Sequence, residues 1–392
     1  MKTFGKKQLD MFLFIAAIVI FAFFIIARFF KTPIIQQRTD LNVSSRLAEI
    51  FGEDIAKNII NEYEAENPHM RIHLIDQTGE IFPDVVFFDD DLLSDLALQA
   101  TSQQAAESQS MLASLDPYMY SGDQTESAQL ALPLVAFVDL FFYNIDILAA
   151  AGRVRPPKTR AELLETAKAV AAAGKENIFP LALSLSADST GGMSGALRRE
   201  LYPWIWADGP EILDRGSLSR SSANTITFMN QLNREGLLAP GIFERTSLQN
   251  IEEFAEGKLA MMAASSMHIP YLQKKNINFN VTAFPSTAPG KNRLGISRIY
   301  TGISAASALQ DEAWAFLNLI AGKTQLLAHA LNAVPGIYPV NFPGDYIAEN
   351  DLLSKAWEIF EAAEIVNIQT FSPAENEAAR LVSERIFQVM GN

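Results

Sequence analysis

The stretch PDVVFFDDDLLSDL, residues 83–96, sets Asp89, Asp90 and Asp91 directly behind an apolar run. Four kinds of chemistry suit three carboxylates in that place: a metal site, a catalytic carboxylate pair, acceptors for the hydroxyls of a bound solute, or the acidic first turn of a helix. Calcium takes about six to eight oxygen ligands, more than this run offers in one plane. A glycosidase needs two carboxylates flanking a sugar bond, and Asp89 and Asp91 sit too close together at one strand end to establish that. A sugar presents many O–H donors and two apolar ring faces, which acceptor-only carboxylates beside aromatic rings satisfy well. A charged acceptor roughly doubles the strength of such a bond. The helix start stays open beside this reading.

Other reactive patterns fail on spacing. AGKT at 321–324 resembles the end of a phosphate-binding loop, but the first glycine would fall at Leu317, inside an expected helix. In GGMSG, 191–195, the serine is followed at once by glycine, so it is no nucleophile elbow. Of His69, His73, His268 and His329 only the first two are close, and they flank an expected strand without a carboxylate pattern typical of zinc, so surface or packing roles are expected of them. Cysteine is absent, which removes disulfides, thiolate ligands and cysteine nucleophiles. A net charge of −14 argues against nucleic acid, which needs clustered positive charge. No cofactor, metal or catalytic residue is expected.

The elements that must carry the aspartates alternate between helical and strand patterns from about residue 43, which points to an α/β protein. DIAKNIINEYEAENP puts Ile55, Ile59, Ile60 and Tyr63 on one helical face and stops before Pro68. MRIHLID alternates as a strand does, and DVVFF reads as a short buried parallel strand. TRAELLETAKAVAAAG is a helix with Thr159 as N-cap, Glu162 three residues on and Gly174 past its end. EAWAFLNLIAGK and LLSKAWEIFEAAEIV are further amphipathic helices, while SRLAEIFG, 45–52, fits a strand or a helix. A chain of 392 residues is too long for one ordinary core, so two lobes are expected.

The N-terminus carries Lys2, Lys6 and Lys7, then runs apolar from Met11 to Phe30 with only Arg28 interrupting. At about 1.5 Å per residue this approaches a bilayer's hydrocarbon core. A cleaved signal peptide would show a shorter core and small residues at the cut, where this chain has Phe29, Phe30 and Lys31. The expectation is an uncleaved anchor: residues 1–10 cytoplasmic, 11–30 membrane-spanning, 31–42 a tether, and the bulk of the chain on the periplasmic or extracellular side of the cell membrane.

The order of segments resembles the extracellular solute-binding proteins of ABC importers, in particular the sugar-binding group of maltose- and glycerol-phosphate-binding proteins. NEYEAENPHMRIHLID, PDVVFFDDDLLSDLA, SLDPYM, LPLVAFVDLFFYNIDILAAAGRVRPPKTRAELLETAKAV, FAEGKLAMMAASS and YTGISAASALQDEAWAFLNLI are similar to successive family segments between about residues 55 and 345. The resemblance implies a periplasmic-binding-protein-like fold of two α/β lobes, joined by strands crossing near Leu134–Val138, Met261–Ala264 and Ile303–Ala308. Residues 43–136 and 261–306 would form lobe 1, and 137–260 and 307–392 lobe 2.

A solute would then bind between the lobes and pass to ABC permease subunits, with the binding protein monomeric and not an enzyme. The resemblance places Phe88, Asp89 and above all Asp91 at the cleft, with Asp90 turned elsewhere or starting the helix. Trp204 and Trp206 are expected to stack on sugar rings, with one of the two in the core. Phe137 and Tyr300 lie on or near crossing segments. Met267 stands where relatives often carry an aromatic, and the serine-rich segment 183–192 lies where the second lobe's ligand loop falls, its plain alternative being a surface turn. No Arg/Lys pair falls near the expected cleft, which favours a neutral carbohydrate or polyol. The rival function is a sensor of the same fold that signals through a partner protein.

Overall fold

The computed structural model describes residues 38–76, 81–89, 132–174, 177–187, 192–288, 292–304, 306–322, 338–339, 351–366 and 373–391. The chain opens with strand β1 (Thr39–Ser44), helices α1 (Arg46–Phe51) and α2 (Glu53–Glu66), and strands β2 (Met70–Ile75) and β3 (Val85–Asp89). Strand β4 (Leu132–Asn144) leads to α3 (Ile145–Ala150), α4 (Arg160–Ala172), β5 (Phe179–Leu181), α5 (Gly192–Glu200) and α6 (Tyr202–Trp206). A small pair, β6 (Leu213–Asp214) and β7 (Ser217–Leu218), precedes α7 (Arg220–Arg234), α8 (Ser247–Ala255) and β8 (Leu259–Ser265). After a 3-10 turn at Ser266–His268 come α9 (Ile269–Lys274), β9 (Phe279–Thr282), β10 (Arg293–Leu294), β11 (Ile296–Ile303) and α10 (Gln310–Gly322). Last are β12 (Tyr338–Pro339), α11 (Asp351–Glu361), β13 (Glu364–Ile365) and α12 (Pro373–Met390).

The strands follow the order β2-β1-β3-β11-β4-β8-β5, with β9 and β12 also paired to β4. Strands β1, β2 and β3 run parallel, and β11 runs antiparallel to both β3 and β4. Strand β4 is shared. Its first half, Leu132–Val138, pairs with β11, while Asp139–Tyr143 pairs with β8 and Phe141–Asn144 with β9.

Two apolar cores result. One gathers Leu41, Val43, Ile59, Tyr63, Phe87, Phe137, Ile299, Ile303, Phe316 and Ile320. There Tyr63 meets Phe316 edge-on at 5.1 Å, and its hydroxyl donates to the Glu312 carbonyl at 2.8 Å. The other gathers Phe141, Phe142, Trp204, Phe254, Met261, Met262, Phe279, Ile296, Leu353, Val382 and Ile386. Local signals act as their chemistry requires. Thr159 accepts from the Glu162 amide at 3.2 Å, Glu162 accepts from the Lys158 amide at 2.8 Å, and Gly174 takes a φ of +65° past the end of α4. Such a cap stabilises a helix by about 1 kcal/mol.

The two cores divide the chain differently from the expected boundaries. The segment from Leu259 to Ile296 belongs to the second core, because β8 and β9 pair with the far half of β4. Helix α10 belongs to the first, while α11 and α12 pack on the second. The crossing near Leu134–Val138 ends at Val138 and Asp139. Met261–Ala264 does not cross, and β11 crosses at its start, between Ile296 in one core and Ile299 in the other. The tether ends earlier than expected, since Thr39–Asn42 is already strand and Leu41 is fully buried. Within 45–52 the chain is helical over Arg46–Phe51. Among the described residues no helix is long and apolar enough to cross a membrane; the segment 11–30 lies outside them.

Candidate functional site

Strand directions define where a ligand is met. Antiparallel pairing sets Val85 opposite Ile303 and Asp89 opposite Ile299, so the carboxyl end of β3 points toward the crossing at Ile296. On the other side Ser265, the last residue of β8, faces Asp139 on the shared strand. Strand β5 runs parallel to β8, with Leu181 opposite Met261, so the segment after β5 heads the same way. The carboxyl ends of both sheets therefore meet at the hinge, which is where open α/β sheets bind ligands.

From the first lobe, β3 brings Phe88 and Asp89 to this place, with Tyr300 directly across from Phe88 and buried. Asp90 and Asp91 lie outside the described residues. Strand β1 runs beside β3, with Val43 opposite Val85. The Ser45 amide donates to the Ile75 carbonyl at 2.8 Å, and Arg46 starts the next helix with its guanidinium 3.4 Å from the Phe87 carbonyl. Sequence reasoning missed Arg46, because the residues before it read as tether and its strand-end position was hidden. Asp84, just before β3, locks the sheet beneath: it accepts from the Asn42 amide at 2.8 Å and from the Ser307 hydroxyl at 2.6 Å.

From the second lobe comes a buried polar group. Residues Ala182 to Ser186 are all buried, so the first half of the serine-rich segment is not a surface turn; 188–191 lie outside the described residues. The Leu185 amide donates to the Ile242 carbonyl at 2.7 Å and the Ser186 amide to the Arg245 carbonyl at 3.2 Å. Asn250 donates to Ser184 Oγ at 3.1 Å, and Arg245 Nε donates to Asn250 Oδ1 at 3.0 Å while its other nitrogen pairs with Glu253. Glu200, wholly buried at the end of α5, lies within reach of Ser247 and Ser184, while its Oε2 has no hydrogen-bond partner among the described residues. Burial raises its carboxyl above the ordinary carboxylate range, and the two serines and Arg199 pull it partly back.

The hinge side is closed by the turn after β8. Ser266 is buried and accepts from the Val138 amide, Met267 is 40% exposed, and burial pushes the His268 imidazole down to about 4. Three expected aromatics are not presented to a ligand. Trp204 and Trp206 are 1% and 2% exposed on α6. Trp204 packs edge-on against Phe141 and Phe284, and Trp206 against Tyr202 and Gly295, which leaves neither indole a face for a sugar. Phe137 is likewise spent on the first core. Among the described residues no cluster of three or more metal-ligating side chains occurs. His73 instead meets Asp40 at 3.0 Å on an exposed surface.

Two lobes, a shared crossing strand and polar groups converging on the hinge define a two-lobe α/β binding protein of the periplasmic type. The chain belongs to the bacterial extracellular solute-binding protein family, whose model matches residues 72–342. A Brucella abortus (strain 2308) protein named only as a binding protein is 25% identical over 221 residues, 54% of this chain and 50% of that one. The chain thus spans about half the length of the curated relatives it matches. The fold matches UgpB from Mycobacterium tuberculosis in complex with glycerophosphocholine, with a TM-score of 0.69, 17% identity, and 90% of this chain and 96% of that one covered. It also matches an ABC transporter solute-binding protein from Thermotoga lettingae bound with α-D-tagatose, with a TM-score of 0.71, 15% identity and coverage of 91% and 95%. Maltose-bound MalE3 from T. maritima matches with a TM-score of 0.66, 15% identity and coverage of 89% and 99%.

Proposed function

We propose that this chain captures a small polar solute, a carbohydrate or a polyol derivative, between its lobes and delivers it to an ABC importer while held at the membrane by residues 11–30. One observation carries the reading: the carboxyl end of β3, paired on β11, and that of β8, paired on the shared strand β4, both point toward the crossing, bringing the Phe88–Asp89 end and Arg46 toward the serine-rich segment and Met267. Acceptors on one side, a cation beside them and small hydroxyls opposite suit a ligand rich in O–H groups. Arg46 also widens the expected class, since a guanidinium there suits a phosphate or another anionic substituent as well as a neutral hydroxyl. Asp91 keeps its proposed role as the principal hydroxyl acceptor. No bond is made or broken in this scheme; affinity and closure are the activity.

A thermal-shift screen of the full chain against maltose, D-tagatose, glycerophosphocholine and related polyols tests it. A ligand at a hundred times its dissociation constant stabilises the folded form by about 2.7 kcal/mol. The expected result is a shift with one class that Asp91→Ala abolishes. Arg46→Ala should weaken a phosphorylated ligand at least tenfold more than its neutral parent, about 1.4 kcal/mol. Absence of a shift across the whole panel, or release of a chromophore from a nitrophenyl glycoside, would overturn the reading.

A further inference from the structure

The serine-rich segment of the second lobe rests on groups that no ligand reaches. Ser184 is fully buried, yet it is held by Asn250, by Glu200 and through a 3.5 Å approach to Ser247 Oγ. Glu200 ends α5, the helix that follows the segment, and Ser247 opens α8, the helix that packs on β8. The carboxyl thus joins three elements: the segment itself, the helix after it, and the helix that runs back along β8 from the hinge. A buried carboxyl is a costly way to do only structural work, because an apolar side chain of like volume would fill the space without desolvating oxygen. What the carboxyl supplies, and a leucine would not, is a fixed register for two serines.

We propose that Glu200 is a positioning residue: by binding Ser184 and Ser247 together it sets the height and direction at which the 183–187 segment meets a ligand at the hinge. Asn250 does the same from the side, itself oriented by Arg245. This rests on the reading of the hinge face as a solute site. It deepens that reading by assigning part of the affinity to residues that never touch the solute. Glu200 contacts no ligand in this scheme, so its effect passes wholly through the segment it holds.

Hydrogen–deuterium exchange on the full chain, without any ligand, tests the positioning itself. In Glu200→Ala the amides of Leu185 and Ser186 should exchange at least about tenfold faster, while those of Leu259–Met262 in β8 stay as they were. In Glu200→Gln, which keeps a hydrogen-bonding group of the same size, they should remain within about twofold of the parent. Should Glu200→Ala fail to give a cooperative melt, Asn250→Ala, which removes one donor to Ser184, takes its place with the same expectation. Unchanged protection at Leu185 and Ser186, or equal loosening of β8, overturns the proposal. Thermal shifts with maltose, D-tagatose and glycerophosphocholine then read the affinity arm: at least a tenfold loss in Glu200→Ala, restored by Glu200→Gln. If the parent binds none of the three, it is the solute reading that fails, and the exchange result still decides the role of Glu200.

Discussion

The Val138 amide donates to Ser266 Oγ at 3.1 Å, joining residues 128 positions apart at the point where the shared strand passes from one core to the other. Ser266 is fully buried there, and it fastens the turn after β8, with exposed Met267, to the crossing strand. This hydroxyl joins the turn after β8 to the strand shared by the two cores, beside the ladder pair Asp139 and Ser265.

Ser266→Ala should therefore leave a buried amide without its acceptor. A cost of about 1–3 kcal/mol is expected, with the fold retained. Urea unfolding of the variant beside the parent measures it, and an unchanged midpoint would show that this bond does not support the hinge.

Gly295 lies between β10 and β11 with its carbonyl accepting from the Asp139 amide at 3.5 Å. A Cβ at this position would run into Cζ3 of Trp206, a fully packed ring that has nowhere to retreat. Gly295→Ala should cost about 1–3 kcal/mol by overpacking, read as a lowered melting temperature. Retention of the parent's melting temperature would mean that the ring moves freely, contrary to its packing.

Arg160 and Asp208 form a buried ion pair at 2.9 Å in the second lobe. Asp208 also accepts from the Thr287 amide and hydroxyl at 2.6 Å each, and Arg160 donates to the Trp204 carbonyl at 2.8 Å. Removing one partner strands the other, so Asp208→Ala is expected to destabilise by about 3–5 kcal/mol. Chemical denaturation checks this; a loss below about 1 kcal/mol, the worth of a surface pair, would be evidence of water reaching the arginine.

Two titratable groups in the second lobe give stability opposite pH trends. His268 gives up its proton near 4 in the folded chain against 6.5 ordinarily. Between those values the unfolded chain holds more protons, so stability falls as pH drops from 6.5 toward 4, and His268→Asn should flatten that limb. Glu200 is raised above 4.5, so the folded chain holds the extra proton and stability falls as pH rises past 4.5. Glu200→Gln should accordingly melt higher than the parent at neutral pH, with the gain shrinking toward pH 4.5. Melting curves across this range for both variants decide it, and parallel curves for parent and variant would contradict the assignment.

Legibility in the sequence followed pattern strength. Strands β2 and β3 and helix α4 were readable because alternation, a bounded apolar run and a Thr/Glu cap each leave a distinct trace. Strand β1 was not, since TDLNVS carries only Leu41 and Val43 as apolar residues and follows polar linker composition. That one omission hid Arg46 as well. Trp204 and Trp206 looked available because LYPWIWA has no polar period to show which side faces inward; in a short helix led by Pro203, all five residues are buried. The division into two cores is hard to read from sequence for a different reason. Local pattern says that β8 is a buried strand but not which half of β4 it pairs with, and that choice depends on residues more than a hundred positions away.

The interleaving of the two cores also governs the order in which they can be completed during synthesis. The first needs Leu41 and Ile320 together, and the second needs Val138 together with Val382 and Ile386. Neither can close while the C-terminal quarter of its partners is still unmade, and contacts so distant along the chain are slow to form. A polypeptide built this way leaves its first centre unfinished until Ile320 has been made and its second until Ile386 has been made.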